Sequence, residues 1–163
     1  MLSFRPLLPA DFPLLLNWLS RPHVKKWWDD GEDTLENVAL HYGQPPAPAE
    51  DEQVERFILM RTPDGGGEAQ PIGYFQWYLL PEGTAGIDQF IGEGHLLNQG
   101  IGTQSIAQFL ELLIERHNPP RILIDPDPRN KRAIRCYEKV GFRHYETITR
   151  EDGSQAYMMA IDR

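Results

Sequence analysis

One stretch of this chain joins residue types and spacing that could do chemistry: GIDQFIGEGHLLNQGIGTQSIAQFLELL at 86–113. It begins with a short strand-like run, 86–92, that carries one acid, Asp88. A turn follows and ends in Gly100-Ile101-Gly102-Thr103. Beyond it Ile106, Phe109, Leu110, Leu113 and Ile114 recur at the spacing of a helix with one apolar face. The first N–H groups of a helix have no partner inside it, and the helix dipole there favours anions. Glycine lets a ligand approach that backbone closely. A strand, glycines and a helix start are therefore a way to hold a phosphate, although the same glycines also suit a plain tight turn. No Gly-Lys-Ser/Thr follows, so this is not a P-loop, and the third glycine of the dinucleotide fingerprint is missing.

The elements that must position these residues alternate along the chain. Residues 2–5 read as a short strand. Pro9-Ala10-Asp11 opens a helix carrying Phe12, Leu15, Leu16 and Leu19, a second short helix is expected over 24–28, and Asp33-Thr34 can cap a third through about Tyr42. Residues 44–50, QPPAPAE, are too proline-rich for helix or central strand and read as a loop. Strands over 54–61 and 71–80 flank the turn at 62–69 and should pair antiparallel. Pro119-Pro120 stops the long helix, and 121–124 is a short buried strand, so a parallel crossover joins it to 86–92. Asn130 can cap a helix with Ala133, Ile134 and Tyr137 on one face, and Gly141 ends it. Strands 142–149 and 155–161 close the chain as a hairpin. The expected result is one α/β (α+β) domain over 1–163: a mixed, mostly antiparallel sheet with helices on its faces.

Composition bounds the partners. The 163 residues suit one domain with a full core. Sixteen Lys and Arg against 24 Asp and Glu give a net charge of −8, which argues against nucleic acid and favours a cationic ligand, or simply serves solubility. Cys136 is the one cysteine, so no internal disulfide forms, and its helical setting suggests a structural role. No metal is expected. No apolar run is long enough to span a bilayer, and the N-terminal MLSFRPLLPADF lacks a signal peptide's apolar region, so a cytoplasmic protein is expected.

Five segments carry a resemblance: NWLSRPHVKKWW (17–28), PIGYFQWY (71–78), GIDQFIG (86–92), GIGT (100–103) and DPDPRNKRAIRCYEKVGF (125–142). Together they resemble the GCN5-related N-acetyltransferase (GNAT) family, and within it the aminoglycoside 6′-N-acetyltransferase branch. The resemblance implies the GNAT fold, with a parallel strand pair around an acetyl-CoA site. It implies that Gln99, Gly100, Ile101, Gly102 and Thr103 hold the pyrophosphate through backbone amides, and that Phe90 and Ile91 run beside the pantetheine arm. Asn130, Ala133 and Tyr137 match positions facing that arm and its sulfur, although Asn130 is also a plain N-cap and Tyr137 a plausible core side chain. Two departures stand out. Leu97 sits where the family usually has Gln or Arg, and the link between the 71–80 and 86–92 strands is only PEGTA, with the single acid Glu82.

The resemblance also implies a mechanism: direct transfer of acetyl to an amine, with no acyl-enzyme and no need for Cys136. Asp88 would act as base, directly or through water, or would orient the ammonium. An ordinary aspartate, with pKa about 3.9, is a poor base unless burial raises it. As a strand-end acid it could instead cap a turn. Tyr137 would give a proton to the departing thiolate. Trp28, Gln76, Asp88 and Asp125 match positions near the acceptor, and Trp27-Trp28 could stack on a sugar or pack in the core. The expected acceptor is a cationic small-molecule amine, first the 6′-amine of an aminoglycoside or related amino sugar. The alternatives are a siderophore precursor, a polyamine or another small amine, or a non-catalytic acyl-CoA-binding module. Either a monomer or a homodimer, paired through an edge strand near the C-terminus, fits the sequence.

Overall fold

The computed structural model describes residues 1–28, 31, 33–43 and 53–163, and the proline-rich segment 44–50 lies outside the described residues. In chain order the elements are β1 (Leu2–Pro6), α1 (Phe12–Leu19), α2 (Pro22–Lys25), α3 (Leu35–Tyr42), β2 (Gln53–Arg61), β3 (Gln70–Leu79), β4 (Ala85–Ile91), α4 (Ile101–His117), β5 (Arg121–Ile124), α5 (Lys131–Val140), β6 (Arg143–Thr149) and β7 (Gln155–Asp162). Single 3-10 turns precede α1 at Pro9–Asp11 and α4 at Gly94–Leu96. The second helix starts two residues earlier than its apolar side chains suggest. Arg21 is extended before it and Pro22 takes the first helical position, where a missing N–H costs nothing.

The seven strands form one sheet in the order β1-β2-β3-β4-β5-β7-β6, antiparallel everywhere except β4–β5. The expected mixed sheet, the antiparallel β2–β3 pair and the parallel crossover are all present. Alternation along the strands divides two cores. Phe57, Leu59, Phe75, Trp77 and Ile87 pack with Phe109 and Leu113 of α4 and Ile134 of α5. Ile58 and Tyr74, one residue out of step, pack with Leu15, Trp18, Val38 and Tyr42 on the helices of the other face. Helices thus cover both faces.

One feature of the register opens the sheet. β4 pairs with β3 along its whole length, from Leu79↔Ala85 to Gly73↔Ile91. It pairs with β5 only at Ala85↔Ile122 and Gly86↔Leu123. Residues 87–91 therefore present a β4 edge that β5 does not cover. The far end of that edge is clamped by the segment between α1 and α2. Arg21 donates to the Gly92 carbonyl at 2.9 Å and to Glu93 at 2.7 Å, Trp18 Nε1 donates to Glu93 at 3.2 Å, and the His23 ring lies 3.0 Å from the Ile91 carbonyl oxygen. Gly92 is required here, since a Cβ would enter the ring of the fully buried Trp18.

Candidate active site

The gap between β4 and β5 is a cleft of about 760 Å³. At one end lies the start of α4. Its N-cap is Gly100, left-handed at φ +78°, and no side chain caps the helix. A Cβ at Gly100 would meet nothing within 4 Å, so the glycine answers the backbone's conformation and leaves open space in front of the first N–H groups. Gly100, Gly102 and Thr103 line the cleft. The other two residues of the expected cradle do not present side chains to it: Ile101 is buried in the core, and Gln99 turns back to donate to the His95 carbonyl at 2.8 Å. Their contribution is limited to backbone.

A basic stripe that the sequence reading missed faces the same end. Arg132, Arg135 and Lys139 of α5 line the cleft beside Leu97 and Asn98. Their spacing of three and four residues puts them on one helix face, a signal the sequence did contain. They supply positive charge near the position where Leu97 lacks it. Asn130 accepts from the Ala133 N–H at 3.3 Å and so caps α5, while both residues also line the cleft. Cys136 is half-buried on the same helix, and its Sγ faces Gly102.

The bare stretch of β4 forms the middle of the site. Because side chains alternate along a strand, Asp88 and Gln89 lie on opposite faces of it. Asp88 sits across from Gln76 in the register and accepts from its Nε2 at 3.2 Å; Tyr74 Oη donates to Gln76 Oε1 at 2.6 Å. Gln76, expected beside the acceptor, therefore also holds the carboxylate. Phe90 and Trp28 complete this wall. Trp28 packs edge-on against Phe90 at 5.2 Å and Tyr74 at 5.8 Å, and its Nε1 donates to Tyr42 Oη at 3.1 Å. Trp28 is thus both packed and exposed to the cleft. Trp27 also borders it, with Lys26 and Arg129 over its ring.

Tyr137 reaches the site from the other face. Gln89 Nε2 donates to Tyr137 Oη at 2.7 Å, which leaves the tyrosine's own proton to be given elsewhere. Burial pushes the Tyr137 pKa well above the ordinary tyrosine range, and the charge of Asp88 adds to the rise. Tyr137 therefore holds its proton more tightly than an ordinary phenol near pKa about 10. Gln89 Oε1 is buried with no hydrogen-bond partner among the described residues. An uncapped helix start, a bare strand edge and an orphaned acceptor in the wall between them fit an elongated molecule with an anionic end and amide groups along its length.

Asp125 lies at the opposite mouth, at the end of β5. Burial raises its pKa, and Arg150, 2.9 Å away, opposes the rise. Asp127 pairs with Arg129 at 2.8 Å. The link between β3 and β4 is a tight turn closed by Leu80 N–H to Thr84 O at 2.8 Å, and among the described residues it adds no side chain to the cleft lining.

A splayed parallel strand pair opening on an uncapped helix start, with a carboxylate and a tyrosine on opposite faces of one strand, is an arrangement suited to group transfer. Residues 8–150 match the acetyltransferase (GNAT) domain family. The chain belongs to that family and is an acetyltransferase. It is 33% identical over 171 residues to an aminoglycoside N(6′)-acetyltransferase type 1 of Klebsiella pneumoniae, covering 96% of this chain and 81% of that one. A kanamycin resistance protein of Rhizobium radiobacter is 43% identical over 77 residues, 47% of this chain and 71% of that one. Among solved structures, the aminoglycoside acetyltransferase AAC(6′)-Ib in complex with coenzyme A and kanamycin superposes with a TM-score of 0.83 at 34% identity, covering 100% of this chain and 95% of that one.

Proposed function

We propose that this protein is a single-domain, acetyl-CoA-dependent N-acetyltransferase that acetylates the 6′-amine of an aminoglycoside or related amino sugar. The observation that carries the reading is the placement of Asp88 and Tyr137 on either side of the uncovered β4 edge, in one cleft with the uncapped start of α4. The relatives named as aminoglycoside 6′-acetyltransferases support the acceptor class. A donor made inside the cell suits a cytoplasmic location.

Bound acetyl-CoA would supply a thioester carbonyl open to attack by a neutral amine. The backbone at 99–103 and the stripe Arg132, Arg135 and Lys139 would hold its phosphates, and Phe90 and Ile91 of β4, with Asn130 and Ala133 of α5, would line its arm. Asp88, steadied by Gln76, receives the acceptor's ammonium group and takes or relays its proton. Tyr137 keeps a proton on Oη, turned free by the Gln89 donor, for delivery into the cleft. Trp28 and Gln76 form the acceptor wall, and Asp125 offers a second negative charge. The short turn after β3 adds no residue to the described cleft lining, which keeps as second reading a longer or smaller amine such as a polyamine or siderophore precursor.

The test is thiol release from acetyl-CoA with kanamycin, a 6′-hydroxyl analogue, spermidine, hydroxylysine and a peptide amine. Turnover of kanamycin but not of the 6′-hydroxyl analogue is expected, with a loss of about a hundredfold or more in Asp88→Asn. Turnover confined to the other amines refutes the aminoglycoside reading. Full activity of Asp88→Asn refutes the role of the carboxylate.

A further inference from the structure

Two acids that line the cleft each face a cation of this same chain: Asp125 faces Arg150 and Asp127 faces Arg129. The two pairs differ in construction. Arg129 and Asp127 are two residues apart in one loop and bond through both guanidinium and backbone. Arg150 follows β6, which lies beyond β7 on the same side of the cleft as β5, and its side chain reaches back to Asp125. Its backbone is fixed by the hairpin: its N–H donates to Ser154 O at 2.8 Å and its carbonyl accepts from Gly153 at 2.9 Å. The loop bearing Asp125 is tied to β7 by Tyr157 N–H donating to Pro126 O at 2.8 Å. The backbones that carry the two partners are therefore pinned, and the pair is made by the long Arg150 side chain reaching Asp125 where both line the cleft.

We propose that Arg150 is a specificity-determining residue that competes with the acceptor for Asp125. Its guanidinium fills the second anionic position of the acceptor site when no acceptor is bound. An acceptor carrying a second ammonium must turn Arg150 aside to reach Asp125, whereas one with a neutral or anionic group beside its reactive amine leaves Arg150 in place. This rests on the aminoglycoside reading above and refines it.

Exposure sets the size of the effect. The Arg150 and Asp125 side chains are 43% and 37% exposed, so the pair belongs to the class of solvent-accessible ion pairs, each worth up to about a fivefold change in an equilibrium. Side-chain rotation of an exposed arginine is fast, so the competition shows in acceptor affinity rather than as a slow step. Asp127 and Asp152 also lie within electrostatic reach of Arg150, so a guanidinium turned aside is not left without negative neighbours.

The experiment measures the kanamycin KM of the full chain for wild type, Arg150→Gln, Arg150→Lys, Asp125→Asn and the Arg150→Gln/Asp125→Asn double variant. Thermal melting and the acetyl-CoA KM report whether each variant is intact. The expected result is a kanamycin KM about threefold lower in Arg150→Gln, within the range an exposed ion pair can supply. Arg150→Lys, which keeps the charge, should stay near wild type. The gain should vanish when Asp125 is already neutral, because nothing is left to compete for. An unchanged KM in Arg150→Gln, an equal drop in Arg150→Lys, or an undiminished gain in the Asp125→Asn background overturns the proposal and leaves the aminoglycoside reading standing. Failure of the wild type to acetylate kanamycin overturns both.

Discussion

Replacing Gly100 by Asp and, in parallel, by Asn separates the folding role of the α4 start from its binding role. Both side chains tolerate the left-handed conformation that Gly100 adopts at φ +78°, and both are good N-caps. Neither meets a steric obstacle, since the Cβ position has no neighbour within 4 Å. The two variants differ in one negative charge. For the fold that charge is favourable, because a carboxylate at a helix N-terminus stabilises by ~0.3–1 kcal/mol. For an anionic ligand at the same N–H groups it is unfavourable. Two like charges about 6 Å apart repel by ~0.7 kcal/mol in water-like surroundings and ~3 kcal/mol at an effective dielectric of 20. The Gly100→Asp protein should therefore melt at or slightly above the temperature of Gly100→Asn, yet bind acetyl-CoA about tenfold more weakly. Titration calorimetry with acetyl-CoA and thermal melting in the same buffer give both numbers, and the affinity gap should narrow as salt is raised. Equal acetyl-CoA affinities for the two variants would refute the assignment of the α4 start as the phosphate site. A matching loss of stability in Gly100→Asp would show that the affinity change reports unfolding instead.

Removing the Gln89 donor in Gln89→Leu should lower kcat about tenfold or more with the acceptor KM little changed, because the proton on Tyr137 Oη loses its orientation. Since burial and Asp88 push the Tyr137 pKa upward, the pH–rate profile should show no alkaline fall from Tyr137 ionisation up to pH ~10, and a fall there that disappears in Tyr137→Phe would contradict this. Asp11 is buried and accepts from both terminal nitrogens of Arg5, at 2.7 and 2.8 Å, and from the Leu8 N–H. Asp11→Asn should cost ~1–3 kcal/mol in chemical denaturation at neutral pH. Arg5 holds the Asp11 pKa below its ordinary value, so this contribution is fully present above the unfolded pKa of about 3.9 and fades as pH falls through the lower folded value. A gap between wild type and Asp11→Asn that is unchanged from pH 7 to pH 2 would refute the ion pair as its source.

Much of the site was legible one segment at a time. The apolar spacing after Gly102 marks α4, the glycines mark its start, Asn130 marks the cap of α5, and the lone acid Asp88 stands in its strand as read. These signals are local: each depends on propensity, capping or alternation within a few residues of chain. The helix at 22–25 begins at Pro22, ahead of its apolar residues, because proline suits the first helical position.

What the sequence by itself determined is the order and type of the elements, the family, and which residues carry charge, protons and flexible backbone. What only the tertiary structure decided is how they meet. That β4 and β5 pair at two positions and then part, leaving an open edge, is a matter of register and twist between strands far apart in the chain. The contacts that give the site its character span long separations: Gln89 to Tyr137 over 48 residues, Arg21 to Glu93 over 72, and Arg150 to Asp125 over 25. No local pattern encodes such pairs, because side-chain hydrogen bonds and ion pairs are set by where packing of the two cores brings the elements to rest.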